Sequence, residues 1–373
     1  MMVKGTGATT RRDVSIDYLR AFVIVLVVLL HSAIAYTSFS YLDQSNWVKS
    51  SAPIVDADRF TLFDPVVGWM DTFLMPLMFL VSGFYILSGL RKYGGGKYLF
   101  HRLQRLGIPF LFGALIIAPL AFLPSFLAAH PQPSEPYLLR FFTKDGWPVG
   151  PPWFLWVLLS FNTVLAALYK WKPELLNKFG RMPSVRLLFL IPLMAFFPLR
   201  LIATHHWWVT VGPFDCQPIR IGVYFSCLLM GAAIGNAGGL QKAAWMRLWP
   251  VWLFIGVTAC IAGGFLDGDS TNPVIILLIS IGFTASGIGN SLGFLGIFRG
   301  MGDRRNVFFD SLSENSFGIY ITHYMFTIWI QYFLLNITMP PILKLTIAFA
   351  GSLLLSWGTS VVIRKIPLVR RYI

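Results

Sequence analysis

Apolar residues fall in ten blocks along this chain, separated by short polar, basic or proline-rich stretches. Windows of about 19 residues place the blocks near 15–38, 65–89, 106–127, 152–170, 186–203, 219–236, 247–266, 273–296, 315–336 and 342–363. A helix rises about 1.5 Å per residue, so such blocks can cross the roughly 30 Å of hydrocarbon in a bilayer. In that layer a helix is the single-segment structure that satisfies its own backbone donors. The pattern predicts an all-α, polytopic transmembrane helical bundle forming one membrane-embedded domain over 1–373, with 1–14 as a tail. Pro192, Pro198, Gly256, Gly263 and Gly264 blur the edges of blocks five to eight. Arg11-Arg12, the following apolar run and Ala33-Ile34-Ala35 imitate a cleavable twin-arginine signal. Asp17 and Arg20, set between the basic and apolar parts, favour an uncleaved first span instead.

Composition agrees with the pattern. The 373 residues are 56% hydrophobic and 12% charged, with a mean hydropathy of +0.66, which excludes an ordinary soluble domain and a disordered chain. The net charge of +14 is spread over short loops, not gathered in a nucleic-acid-binding patch. An even number of spans puts both termini on one side. Lys4, Arg11, Arg12, the run Arg91 to Arg105, Lys170 to Arg186 and Arg364 to Arg371 share that side, which the positive-inside rule makes cytoplasmic. A multi-pass protein of a bacterial inner membrane is expected. Cys216, Cys227 and Cys260 lack metal-ligand spacing and read as small apolar fillers, and His205-His206 lacks the spacing of a zinc site.

Polar residues inside the blocks carry the candidate chemistry, because ionisable groups at that depth are costly unless used or paired. Arg20 and His31 are eleven residues apart, so on a helix they share a face about 16 Å apart. Asp71, entering block two from the outer side, is placed to orient or charge His31; a water-facing carboxylate is the other reading. His323, with Tyr320 at i−3 and Ser316 at i−7, offers a second histidine to the same cavity. At the cytoplasmic mouth, Arg102 and Arg105 at i and i+3, with Lys97 nearby, can clamp phosphate beside the positive end of a helix dipole.

These strings, in order, resemble the acyltransferase 3 family of integral membrane acyltransferases. The resemblance rests on Leu19-Arg20 with His31 after ten intervening residues and on Phe79-Leu80-Val81-Ser82-Gly83-Phe84. It continues in Arg102-Leu103-Gln104-Arg105 followed by Leu106-Gly107-Ile108-Pro109, in Trp153-Phe154-Leu155, and in Ser316-Phe317-Gly318-Ile319-Tyr320 through His323. The Arg-Leu-Gly-Ile-Pro and Trp-Phe-Leu strings look most like the branch containing the succinyltransferase of periplasmic glucans. Residues 39–64 and 200–215 match no motif.

The resemblance implies transfer of an acyl group, acetyl or succinyl, from cytoplasmic acyl-CoA to a hydroxyl of a carbohydrate or glycolipid acceptor, with no tightly bound cofactor and no metal. It makes His31 the catalytic histidine, a general base or an acyl carrier near mid-membrane, with Arg20 as its motif partner. Arg102 and Arg105 become the donor-binding pair, supported by Lys97. Arg20 is too far along the helix to touch His31, so it holds the donor or pairs with Asp17 at i−3. Trp153 supports the site, and the oxyanion of the reaction needs a donor from among Ser82, Tyr320 and His323. The rival reading is a proton-coupled secondary transporter or flippase of sugar-lipid substrates that uses His31, Asp71 and His323 as a proton relay. That architecture predicts paired helix interruptions, and none is visible in the sequence.

Overall fold

The computed structural model describes residues 13–44, 46–130, 135–177, 181–203, 208–302 and 304–370. The tail expectation for 1–14 falls mostly outside them, and the His205-His206 pair does so entirely. The chain is a helical bundle of α1 (Val14–Ala33), α2 (Phe63–Gly83), α3 (Ile86–Ala129), α4 (Tyr137–Thr143), α5 (Trp153–Trp171) and α6 (Val185–Ile202). A two-stranded antiparallel hairpin, β1 (Val209–Val211) and β2 (Phe214–Cys216), precedes α7 (Pro218–Asn236), α8 (Trp249–Gly264), α9 (Pro273–Met301), α10 (Val307–Leu334) and α11 (Pro341–Ile363). Among the described residues, nine helices are long and apolar enough to cross a membrane. The block expected at 315–336 lies in α10, which is not among those nine. Asn315, Thr322, His323, Thr327 and Gln331 make it a polar helix, all of them buried inside the bundle.

The long helices alternate in direction, so the segments around 37–62, 135–152 and 208–217 gather at one end, called here the loop end. Two expectations change. Block 65–89 is not one helix: α2 stops at Gly83, a turn at Phe84-Tyr85 follows, and α3 begins at Ile86. The stretch around 90–105, expected as a loop, is helical on either side of a break at Gly94, and the second arm continues through Ala129. Gly94, at φ +71°, kinks it, and π-helical turns at Leu103–Gly107 and Gly113–Ile117 bend it further.

α1 lies at the centre, packed on α2, α9, α10 and α11. α10 ties it down at both ends. Tyr18 donates to Asp310 Oδ1 at 2.8 Å and accepts from the Asn306 N–H at 2.9 Å, while Gln331 Nε2 donates to the carbonyls of His31 and Ser32 at 3.0 and 3.1 Å. Those two carbonyls belong to the last turn of α1, where no intrahelical donor is left for them. Gly83 lets α2 and α7 touch backbone to backbone, because a Cβ there would collide with Leu228 O. The glycine at 256, which blurs a boundary in the sequence, sits inside α8 against Asn290 of α9 and serves helix packing.

Candidate active site

His31 stands in the last turn of α1, with a 3-10 turn, Ile34–Tyr36, directly after it. It is therefore nearer the loop end than the middle of the span, a correction that follows from α1 ending at Ala33. His323 on α10 is fully buried behind it, with Nε2 3.3 Å from His31 Nδ1. The hydrogen bonds fix both rings. His323 Nδ1 lies 2.8 Å from Tyr320 O and 3.2 Å from Ile319 O, and carbonyls only accept, so Nδ1 carries the proton and Nε2 is an acceptor. His31 Nδ1 then faces two acceptors, Val27 O at 2.9 Å and His323 Nε2, and must be the protonated nitrogen. The lone pair of neutral His31 is left on Nε2.

His31 lines a cavity of about 780 Å³ bounded by residues of the loop end, including Trp47, Asp145, Pro151, Trp208 and Asp215. Trp153, at the start of α5, is part of this wall, meeting Trp208 edge to face and Tyr224 at a tilt, with ring centroids 5.9 and 5.8 Å apart. Asp71 lines it too, but the structure gives it a different partner from the one expected. Arg220 of α7 grips the carboxylate with two bonds, Nη1 to Oδ1 at 2.9 Å and Nη2 to Oδ2 at 2.7 Å, and its guanidinium lies 5.0 Å over the Phe283 ring. The arginine side chain is 11% exposed and the carboxylate 50%, so the pair presents its acidic half to the cavity. His31 is oriented instead by Val27 O and His323. Outside the spans, burial pushes the Asp215 carboxyl up, against the opposing hydrogen bonds from Thr210 and the Val149 N–H.

The other expected residues divide. Tyr320 is buried and donates its hydroxyl to Pro151 O, propping the turn that leads into α5. Ser82 lies eleven residues beyond Asp71 on α2, about 16 Å along that helix, and is outside the His31 cavity.

Arg102 and Arg105 do share a groove, of about 510 Å³, at the end opposite His31, with Lys92, His101 and the rings of Tyr85, Tyr93 and Tyr98. The Gly94 kink folds the two arms of α3 together to form it, and the side of Gly89 fits against the Tyr98 ring. Arg102 Nε donates to Tyr98 Oη at 3.0 Å, and Tyr98 donates in turn to buried Asn162 of α5. The helix N-terminus expected beside these arginines lies farther off: their arm of α3 begins after the Gly94 break, about two turns before Arg102, beyond the first turn over which the dipole acts. Lys97 and Arg20 are exposed and Asp17 is half-buried; none of the three lines the groove or the His31 cavity.

Residues 13–361 match the family described as "Acyltransferase domain", the acyltransferase 3 family. The chain belongs to this family. A curated relative within it, "Glucans biosynthesis protein C" of Salmonella gallinarum, is 25% identical over 170 residues, covering 44% of this chain. The chain spans about 40% of that relative's length in the match. No solved structure matches.

This acyltransferase-family chain thus carries the His31–His323 pair and the Arg102–Arg105 pair at opposite ends of one bundle. Sequence reasoning missed Arg220, Tyr98, Asn162 and Tyr324 at these sites. Tyr98 was visible, as the i−4 neighbour of Arg102 on a helix, and so was Asn162, a lone amide in an apolar span. Arg220 looks in the sequence like one of the few basic residues on the side opposite the termini, although its place in the first turn of an apolar helix also fits a buried partner. Lys344, fully buried against Asp56 and Asp58 at 2.8 and 3.0 Å, was missed for the same reason.

Proposed function

We propose that this protein moves an acyl group from a thioester donor such as acyl-CoA, held at the Arg102–Arg105 end, to a hydroxyl of a carbohydrate or glycolipid acceptor held in the loop-end cavity. The observation that carries this reading is the ring geometry of His31. Its Nδ1 proton is committed to Val27 O and His323, so Nε2 is the basic atom of a residue that lines a cavity. His323 acts as a positioning residue through its hydrogen bond and does not reach the cavity itself. The acceptor gives its proton to His31 Nε2 as its oxygen attacks the thioester carbon.

The cavity has the chemistry of a polyol site, with the rings of Trp153 and Trp208 and the half-exposed Asp71 carboxylate as a hydroxyl acceptor. Lys92, Arg102 and Arg105 suit the phosphates of a CoA nucleotide. The positive-inside pattern supports a groove at the cytoplasmic face and a loop-end cavity outside, in a membrane we take to be a bacterial inner membrane.

Purified protein incubated with radiolabelled acetyl-CoA and succinyl-CoA, with glucan oligosaccharides as acceptor, tests the reading. Label should reach the oligosaccharide, and His31→Ala should abolish transfer. Rapid quenching without acceptor separates the two routes: labelled protein that disappears in His31→Ala would establish an acyl-histidine and sink direct attack. If donor binding and transfer are both undetectable, and Arg102→Ala behaves as wild type, the transporter reading takes its place.

A further inference from the structure

Acyl transfer at His31 puts negative charge on the thioester oxygen, and the residues expected to meet it are engaged elsewhere. Tyr320 spends its hydroxyl on Pro151 O, His323 presents only an acceptor nitrogen toward His31, and Ser82 is outside the cavity. We propose that Tyr324 is a catalytic residue whose phenol O–H donates to the oxyanion formed when the acceptor attacks the thioester. This rests on the acyl-transfer reading above.

Tyr324 lines the same cavity as His31, and the two rings meet edge to face with centroids 4.9 Å apart. The tyrosine is held in place. Phe122 packs on it at 5.7 Å, and Gly150, at φ +61°, abuts its edge so closely that a Cβ there would lie 2.7 Å from Cε1 and 2.9 Å from Cδ1. A side chain at position 150 would both strain the backbone and push the ring away. The Tyr324 hydroxyl has no hydrogen-bond partner among the described residues and is not sealed off from the cavity. The titratable rings facing it are His31 and, at 6.2 Å, His323; Asp71, Lys144, Asp145, Asp215 and Arg220 line the same cavity. An immobile phenol beside the base is a preorganised donor, which costs no reorganisation when charge develops.

In the step, the acceptor O–H bond breaks and its proton moves to His31 Nε2. The acceptor oxygen bonds to the thioester carbon, and the carbonyl pair moves onto oxygen, where Tyr324 O–H holds it. The pair returns, the C–S bond breaks, and the thiolate leaves with the proton from His31. An ester and a free thiol result, and no other reactant is needed.

The test uses the full chain in lipid nanodiscs with labelled acetyl-CoA or succinyl-CoA and glucan oligosaccharides, and with water as the slow acceptor. Tyr324→Phe should lower kcat about 10²–10³-fold, with donor and acceptor KM and the thermal midpoint unchanged. Replacing Tyr324 by 3,5-difluorotyrosine keeps the ring and makes the phenol more acidic, so the alkaline limb of the kcat profile should move to lower pH. That readout decides the matter even if the Phe variant folds poorly, since a ring acting only as a wall would leave the limb in place. Wild-type kcat in Tyr324→Phe, or an unmoved limb in the fluorinated protein, overturns the proposal. His31→Ala inactive with Tyr324→Phe fully active overturns Tyr324 alone. An active His31→Ala, or wild-type protein that turns over neither donor, overturns the acyl-transfer reading and this proposal with it.

Discussion

The two ends of the bundle carry charge in opposite ways. At the loop end charges come in pairs: Arg220 with Asp71, Arg140 with Asp145, Lys144 with Glu135, and Lys344 with Asp56 and Asp58. The cavity wall sets Asp71, Asp145 and Asp215 against Lys144 and Arg220, so it offers hydrogen-bonding edges with little net field. At the other end Lys92, Arg102, Arg105 and His101 line a groove with no carboxylate among its lining residues. Unopposed charges of one sign concentrate a polyanion over a distance set by salt, whereas paired charges fix shape and read neutral hydroxyls at contact range. On the function proposed above, this contrast would let one polypeptide sort a phosphate-bearing donor from a polyol acceptor before either reaches His31.

The sharpest way to break this contrast is to empty the groove. Each guanidinium–phosphate bond contributes about 1.5–3 kcal/mol, so Arg102→Ala/Arg105→Ala should raise donor KM about 10²–10⁴-fold. Acceptor KM should stay as it is, and the wild-type donor KM should rise with ionic strength. Equal effects on both substrates would mean that the two ends do not divide the work. The next largest effect is expected at the loop end. Lys344→Met strands Asp56, which is 1% exposed, and removing one partner of a buried pair costs about 3–5 kcal/mol. Thermal unfolding should drop markedly and acceptor turnover fail, while CoA binding to the groove, read by isothermal titration at low temperature, persists. Smaller still is Tyr98→Phe, which deletes the bond to Arg102 Nε. Donor KM should rise about 3–10-fold with kcat unchanged, the signature of a positioning residue.

The contrast was only half legible in the sequence. Helical periodicity and apolar length announced the bundle, and the spacing of Arg102 and Arg105 announced one shared face, because both depend on neighbours a few residues apart. The pairing of His31 with His323 could be suspected from two costly polar groups, yet its geometry depends on α1 and α10 meeting 292 residues apart in the chain. Asp71 was given to His31 on depth alone, and Arg220, its partner, sits 149 residues away. Depth along a span is readable from one sequence; rotation about the helix axis relative to a distant helix is not. The Gly94-Gly95-Gly96 run looked like a loop because glycine disfavours helices; the chain does break helical geometry at Gly94, at φ +71°, but the break is a single residue between two helical arms that pack together.

The finest test of a charge-balanced loop end concerns Asp215, whose carboxyl burial pushes up. Asp215 joins the hairpin to the 144–151 segment by accepting from the Val149 N–H at 3.3 Å, and its Oδ1 is buried without a hydrogen-bond partner among the described residues. Burial raises its folded-state pKa above the unfolded value, so the folded state prefers the protonated acid. The sign follows from linkage. Ionisation is cheaper in the unfolded chain, so stability is greatest below the unfolded carboxyl pKa and declines as pH rises from there through the folded pKa. Asp215→Asn removes that dependence and keeps the oxygen that accepts from Val149. Hydrogen exchange of the Val149 amide should quicken from pH 4 to pH 7 in wild type beyond the intrinsic pH effect, and follow the intrinsic effect alone in Asp215→Asn. If the wild-type amide gains protection with rising pH, a cation in the wall compensates Asp215 and this carboxyl is as well paired as Asp71.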